Sequence, residues 1–294
     1  MKSPAYNAFM DRLVAELDKG VLPWRRPWKN GARPGLPTRS TGEPFTGCNV
    51  VMLSMAAAAA GFSSNRWFTY NQAAEVGGQV RRGERASVAI ICNKTTREDE
   101  SGDPEKVRHL VFTKAYSVFC ADQIDDLPAE LRGTANIRPD ASTYEISEFI
   151  SRLCLPVKHK GDMAFYHTGL DEIVMPHPEQ FATLDIYQAT LLHEAGHLTG
   201  SKNRLDRKDL ETYHLHASRA REELTAELIS VFLGYHIGLR VDDDLIAGHA
   251  SYIHNWHNVL KKDPEELVRA AARAQKACDW LIARAGAATD RLAA

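Results

Sequence analysis

A chain of 294 residues, 25% charged and 44% hydrophobic, is long enough for two domains of roughly 100–200 residues and too apolar to stay mostly disordered. A peptide hormone or a lone motif is excluded. The formal net charge of −2 hides a division: Met1 to Lys94 carry 13 Lys and Arg against 6 Asp and Glu, and the remainder carries 23 basic against 32 acidic residues, so +7 is followed by −9.

Histidine divides the other way, with His109 alone early and eleven more between His159 and His257. Two domains with different chemistries are therefore expected, in an α+β fold: residues 1–128, a linker at 129–141, and residues 142–294. The boundary is placed where turn residues and prolines replace apolar periodicity, from Asp122-Gln123 through Pro128 to Arg138-Pro139-Asp140. No apolar run approaches the roughly 20 residues of a bilayer span, Val50 to Gly61 being the longest, and the N-terminus lacks a basic segment followed by an apolar one. A cytoplasmic location is expected. The five cysteines are widely spaced without a CxxC pair, which predicts reduced, mostly buried thiols.

Phe9, Leu13 and Leu17 fall at helical spacing, so Tyr6 to Leu17 reads as an amphipathic helix closed by Gly20. The segment Leu22 to Lys29 interleaves Trp24 and Trp28 with Arg25, Arg26 and Lys29, and its prolines favour an extended, exposed backbone. Phe45-Thr46-Gly47-Cys48-Asn49 precedes an apolar helix whose alanine run, Ala56 to Ala60, reads as a close-packing face. Trp67 to Gln72 follows, then a turn from Gly77 to Glu84 containing Arg81 and Arg82, feeding a strand from Ala86 to Cys92. A second strand is expected from Arg108 to Phe119.

Aromatic rings set among cations stack unpaired bases while tracking phosphates, each stacked base contributing ~1–3 kcal/mol. Any single aromatic here reads first as a core anchor, but the cluster together with the surplus of positive charge points to single-stranded nucleic acid. The candidate residues for binding it are Trp24, Arg25, Arg26, Trp28, Lys29, Asn49, Trp67, Tyr70, Gln72, Arg81 and Arg82. With no recognition helix or zinc finger, binding is expected to be independent of sequence.

In the second half, Ala164 to His167 and Asp171 to Pro176 read as two strands joined by a turn at Gly169, and an exposed strand there suits an extended peptide. Tyr187 to Leu198 is a helix containing His193-Glu194-Ala195-Gly196-His197. Residues four apart share a helical face, so both imidazoles reach one ion while Glu194 stands beside the open coordination position as general base. Zinc is the default ion, although other divalent metals suit the same donors. Zinc lowers the pKa of bound water to about 7, which makes amide hydrolysis the natural chemistry.

A third ligand is expected from the helix Arg219 to Gly234, where Glu222, Glu223 and Glu227 are available. Glu223 is assigned to the metal and Glu227 to a hydrogen bond that orients a ligand histidine, or to the alternative ligand; Glu222 is read as a solvated face residue. Tyr213, His214, His216, Tyr235 and His236 are near enough in sequence to stabilise an oxyanion, although each taken alone reads as structural or exposed. Asp263-Pro264 starts a long amphipathic helix to about Ala283.

These residues resemble, along nearly the whole chain, the ArdC-type antirestriction proteins of conjugative plasmids, which share their N-terminal module with plasmid primases of the TraC type. The resemblance rests on Pro23-Trp24, Pro27-Trp28, Thr46 to Asn49, Trp67 to Gln72, Gly77 to Gly83, Tyr116 to Gln123, the HEAGH segment, Arg221 to Leu228, and Tyr252 to Trp280. It implies an N-terminal single-stranded-DNA-binding domain, a C-terminal zincin-like metallopeptidase domain of gluzincin-like design, and a role in protecting incoming plasmid DNA from restriction. Two further readings stand beside it: a metallopeptidase that cleaves a host restriction or defence protein, and a DNA-binding protein whose metal site is only structural. Glu223 lies 26 positions after His197, further than the short spacing typical of thermolysin-like enzymes.

Overall fold

The computed structural model describes residues 4–20, 24, 35–98, 107–132, 143–239 and 250–292. It opens on α1 (Pro4–Asp18), whose Tyr6, Met10, Leu13 and Leu17 form the buried stripe their spacing requires. Gly20, at φ 71°, ends it in the left-handed conformation that costs glycine least. Then come β1 (Thr38–Arg39), α2 (Cys48–Ala60), β2 (Arg66–Phe68), α3 (Tyr70–Glu75), β3 (Gln79–Val80), β4 (Ser87–Glu98), β5 (Val107–Cys120) and β6 (Ile124–Asp125).

The two expected strands are β4 and β5, a long antiparallel pair with Ile90 opposite Ala115, in a sheet of order β1-β2-β5-β4. α2 is buried from Cys48 to Met55 as it packs against this sheet, whereas of the alanine run only Ala57 is fully buried. β6 pairs with β3, and Ile124 and Leu127 pack with Phe68 and Val80, so the turn-rich stretch from Ile124 to Leu127 packs with the first part.

The second part comprises α4 (Thr143–Arg152), β7 (Val157–His159), β8 (Phe165–His167), β9 (Glu172–Met175), α5 (Leu184–Thr199), α6 (Lys208–Glu211), α7 (His216–Ile237), α8 (Ala250–Lys262) and α9 (Glu266–Leu292). The sequence reading missed β7, which pairs parallel to β9 in a sheet of order β7-β9-β8. The turn between β8 and β9 takes its left-handed residue at Asp171 (φ 53°), where Tyr166 and Arg204 both donate to the carboxylate. α9 runs a further two turns beyond the expected end.

The two parts share one apolar core. Leu13 and Leu17 of α1 and Val50 and Val51 of α2 belong to the same buried cluster as Leu228 and Phe232 of α7, Trp256 of α8 and Leu267 to Leu281 of α9. A polar tie adds to it, the Gly47 N–H donating to the Gln275 side chain at 3.1 Å. The charge division therefore describes two surfaces over a common interior.

Among the described side chains Cys48, Cys120 and Cys278 are buried and Cys154 is exposed, all as free thiols. Burial pushes the Cys120 thiol up to about 12 and raises that of Cys278 as well, which makes both unreactive. No helix among the described residues is long and apolar enough to cross a membrane.

Candidate metal centre and open cleft

The Thr183 hydroxyl accepts from the Ile186 N–H at 3.2 Å and starts α5, which carries His193, Glu194 and His197 into the interior. Gly196 between them has a packing reason. A Cβ there would meet the Cα of Ala226 at 3.3 Å, so glycine lets α5 and α7 approach closely enough to bring the glutamates of α7 against the histidines.

Glu223 spans the two imidazoles. Its Oε2 lies 3.3 Å from His193 Nε2 and its Oε1 3.5 Å from His197 Nε2, and the ligand atoms of the three side chains all fall within 4.8 Å of one another. Two imidazole nitrogens and a carboxylate oxygen, buried and converging, fit a divalent ion, and three protein donors leave a coordination position for water or substrate. The Tyr213 hydroxyl donates to Glu223 Oε1, its ring stands edge-on to His197, and Arg219 lies 4.9 Å over that ring. Of the five residues considered for an oxyanion, Tyr213 reaches the site. His214 and His216 are exposed, and His236 packs edge-on against Phe149.

Glu222 corrects the sequence reading. It is fully buried, and its Oε1 lies 3.1 Å from His197 Nδ1, the role expected of Glu227. Arg207 grips it from the far side, Nε to Oε2 at 2.9 Å and Nη2 to Oε1 at 2.6 Å, while also donating to the Gly196 carbonyl and the Thr199 hydroxyl at 2.7 Å. A Cβ on Gly200 would sit 2.6 Å from Arg207 Nη2, so a glycine there makes room for the guanidinium across the end of α5. Nothing in sequence spacing singles out Arg207. Glu222, by contrast, shares a helical stripe with Ala226, Ile229 and Leu233, which could have flagged its burial.

Glu227, one turn beyond Glu223, accepts instead from Trp24 Nε1 at 3.2 Å.

The charges are strongly coupled. Burial works against a charged His197, but the Glu223 and Glu222 carboxylates outweigh it and hold the imidazole well above its ordinary pKa. Burial likewise opposes ionisation of Glu223 and Glu222, yet His197 for the first, and Arg207 with His197 for the second, keep both below the usual carboxylate range. Because Glu222 both orients His197 and raises its basicity, Glu222→Gln is expected to weaken metal affinity by roughly 10–100-fold. Chelator competition measures this, and unchanged affinity would remove Glu222 from the site.

The candidate DNA-binding residues separate by burial. Trp24 is 3% exposed and its ring lies 6.2 Å from that of Trp256, and Trp67 is 1% exposed beside Phe62. Neither offers a face to a base. Asn49 is also buried, its amide exchanging hydrogen bonds with the Ile90 N–H and C=O at 2.7 and 2.8 Å, which fastens α2 to β4. Gln72 completes a capping box with Thr69 at the start of α3. Tyr70, Arg81 and Arg82 are exposed and line one open cleft. Arg25, Arg26, Trp28 and Lys29 lie outside the described residues.

The buried helix pair with its His-His-Glu cluster beside a small sheet defines a metal-binding zincin-like domain, and the family model described as a zincin-like metallopeptidase matches residues 144–273. The model for the N-terminal domain of the anti-restriction factor ArdC matches residues 3–119. The crystal structure of metal-free antirestriction ArdC from plasmid R388 superposes with a TM-score of 0.79 at 38% identity, covering 97% of this chain and 98% of that one. The Mn(II)-bound form of the same protein gives a TM-score of 0.77 at 37% identity, covering 96% and 98%. The chain belongs to the ArdC family of antirestriction proteins.

Among other relatives, y4eC of Sinorhizobium fredii is 32% identical over 289 residues, 95% of this chain and 92% of that protein. Two proteins named DNA primase TraC from Escherichia coli are 36% and 35% identical over 96% of this chain, which spans only 27% and 20% of their length.

Proposed function

We propose that the protein binds single-stranded DNA without sequence preference through its basic first part and protects incoming conjugative plasmid DNA from restriction in the recipient's cytoplasm, while its second part holds a zinc ion in a peptidase-type site. The observation that carries the second half of this reading is the convergence of His193, His197 and Glu223 within 4.8 Å, with Glu194 adjacent on the same helix. The first half is supported by the surplus of seven positive charges from Met1 to Lys94 and by membership of the ArdC family.

A bound divalent ion would supply Lewis acidity toward a carbonyl and acidify water. Glu223 and the two imidazoles would hold the ion, Glu194 would serve as the proton acceptor beside it, and Glu222 with Arg207 fixes the ring of His197. Among the described residues three protein donors converge, which favours a hydrolytic over a purely structural site, since structural zinc sites are usually closed by four.

Glu194→Gln separates DNA protection from hydrolysis. The variant is expected to keep its ion and its DNA affinity, to lose peptide hydrolysis, and to protect a transferred plasmid as wild type does in a conjugation assay into a restricting host. Loss of protection with metal and DNA binding intact would sink this reading in favour of cleavage of a host restriction or defence protein.

A further inference from the structure

The open cleft on the first part lies where the start of α3, the strands β3 and β6 and the end of β5 meet, and it is lined by Tyr70, Gln79, Arg81, Arg82, Phe119 and Asp125. Tyr70 is 53% exposed, its ring edge-on to Phe119 with centroids 6.4 Å apart, and Gln79 Nε2 reaches its hydroxyl at 3.4 Å. The two arginines differ in kind. Arg81 is pinned by Glu84 Oε1 at 3.0 and 3.2 Å, by Asp125 Oδ1 at 3.2 Å, and by the Asp122 carbonyl. Its charge is answered inside the protein, and its flat guanidinium is held in one orientation. Arg82 is exposed and makes no hydrogen bond or ion pair among the described residues.

We infer that this cleft holds one nucleotide of a single strand, the base against Tyr70 and the guanidinium plane of Arg81, the phosphate against Arg82. The inference rests on the single-strand reading above and assigns its contact point. A tyrosine ring and an immobilised guanidinium are both flat faces on which any base stacks, and an unpaired arginine is free to meet a phosphate. The carboxylates of Glu84 and Asp125 do not defeat this, because both are held by Arg81 and the two arginines together balance their charge, which leaves Arg82 the cation not engaged by either. Gln79 adds an amide that reaches a base edge of any identity.

The test uses the full chain and a labelled oligo-dT of about 15 nucleotides, read by fluorescence anisotropy over a salt series. Tyr70→Ala is expected to weaken binding about tenfold and Tyr70→Phe to restore it, because the ring does the stacking. Arg82→Ala is expected to lower the slope of log affinity against log salt by about 0.7, one single-strand phosphate contact. An abasic strand of the same length is expected to lose affinity for wild type and to bind wild type and Tyr70→Ala alike. Both side chains are exposed, so the variants fold, which far-UV circular dichroism checks. Wild-type affinity and salt slope in both alanine variants would overturn the cleft assignment and leave the single-strand reading standing; no binding of the oligomer by wild type would overturn both.

Discussion

Arg207→Met is expected to destabilise the protein by about 3–5 kcal/mol, because it strips the fully buried Glu222 carboxylate of its bidentate partner and leaves only the His197 ring, which Glu223 shares. The pair is bidentate and both side chains are nearly or wholly inaccessible, so the usual discount for exposed ion pairs does not apply. The loss should appear as a lower urea midpoint with an unchanged slope. Adding Glu222→Leu to the same chain should recover most of that stability, since an apolar pair removes the stranded charge, but not the metal affinity, since His197 Nδ1 has lost its brace. A single variant within about 1 kcal/mol of wild type would show that the Arg207–Glu222 pair contributes little.

Glu223→Ala should cost the protein its ion, and the pH dependence of binding in wild type identifies why. In the metal-free protein burial disfavours the His197 cation, but the Glu223 and Glu222 carboxylates prevail and its folded pKa stands well above the ordinary value of about 6.5. The stability that this proton contributes is therefore fully present below about 6.5 and is lost as pH rises through the raised folded value. Glu222 and Glu223 run the other way: their pKa values are depressed, so their contribution is present above the ordinary carboxylate range and is lost as pH falls through the folded values.

An ion must displace the proton of His197 to bind. Apparent metal affinity should therefore fall about tenfold for each unit of pH below the raised value, with a proton released on binding. Calorimetric titration in buffers of different ionisation enthalpy counts that proton. Pulling the carboxylate away in Glu223→Ala removes both the ligand and the main cause of the raised pKa. A Glu223→Ala chain that purifies with its ion bound, or wild-type binding with no pH dependence, would exclude this ligand set.

Several features were legible without coordinates because each is fixed by near neighbours in the chain. The period of 3.6 residues places His193 and His197 on one face of α5 wherever that helix docks, and it makes Glu223 and Glu227 neighbours on α7. Alternation marked β4, and the Asp171 to Pro176 run marked β9. The strand β7 escaped because only Val157 to His159 pair, too short a run to show a period.

What the sequence by itself determined, then, was the chemistry available: a pair of imidazoles with an acid between them, a later helix rich in glutamate, and a cationic opening third. Tertiary structure alone decided which groups meet. Trp24 looked like an exposed ring among cations, yet it is buried with its N–H on Glu227, a partner 203 residues away. Glu222 and Glu223 are adjacent in the chain, and the docking of α7 on α5 sends one to the Nδ1 of His197 and the other between the Nε2 atoms of both histidines. Spacing along one helix is set by local geometry, whereas burial and partnership depend on the elements packed against it, and a single helix carries no record of those contacts.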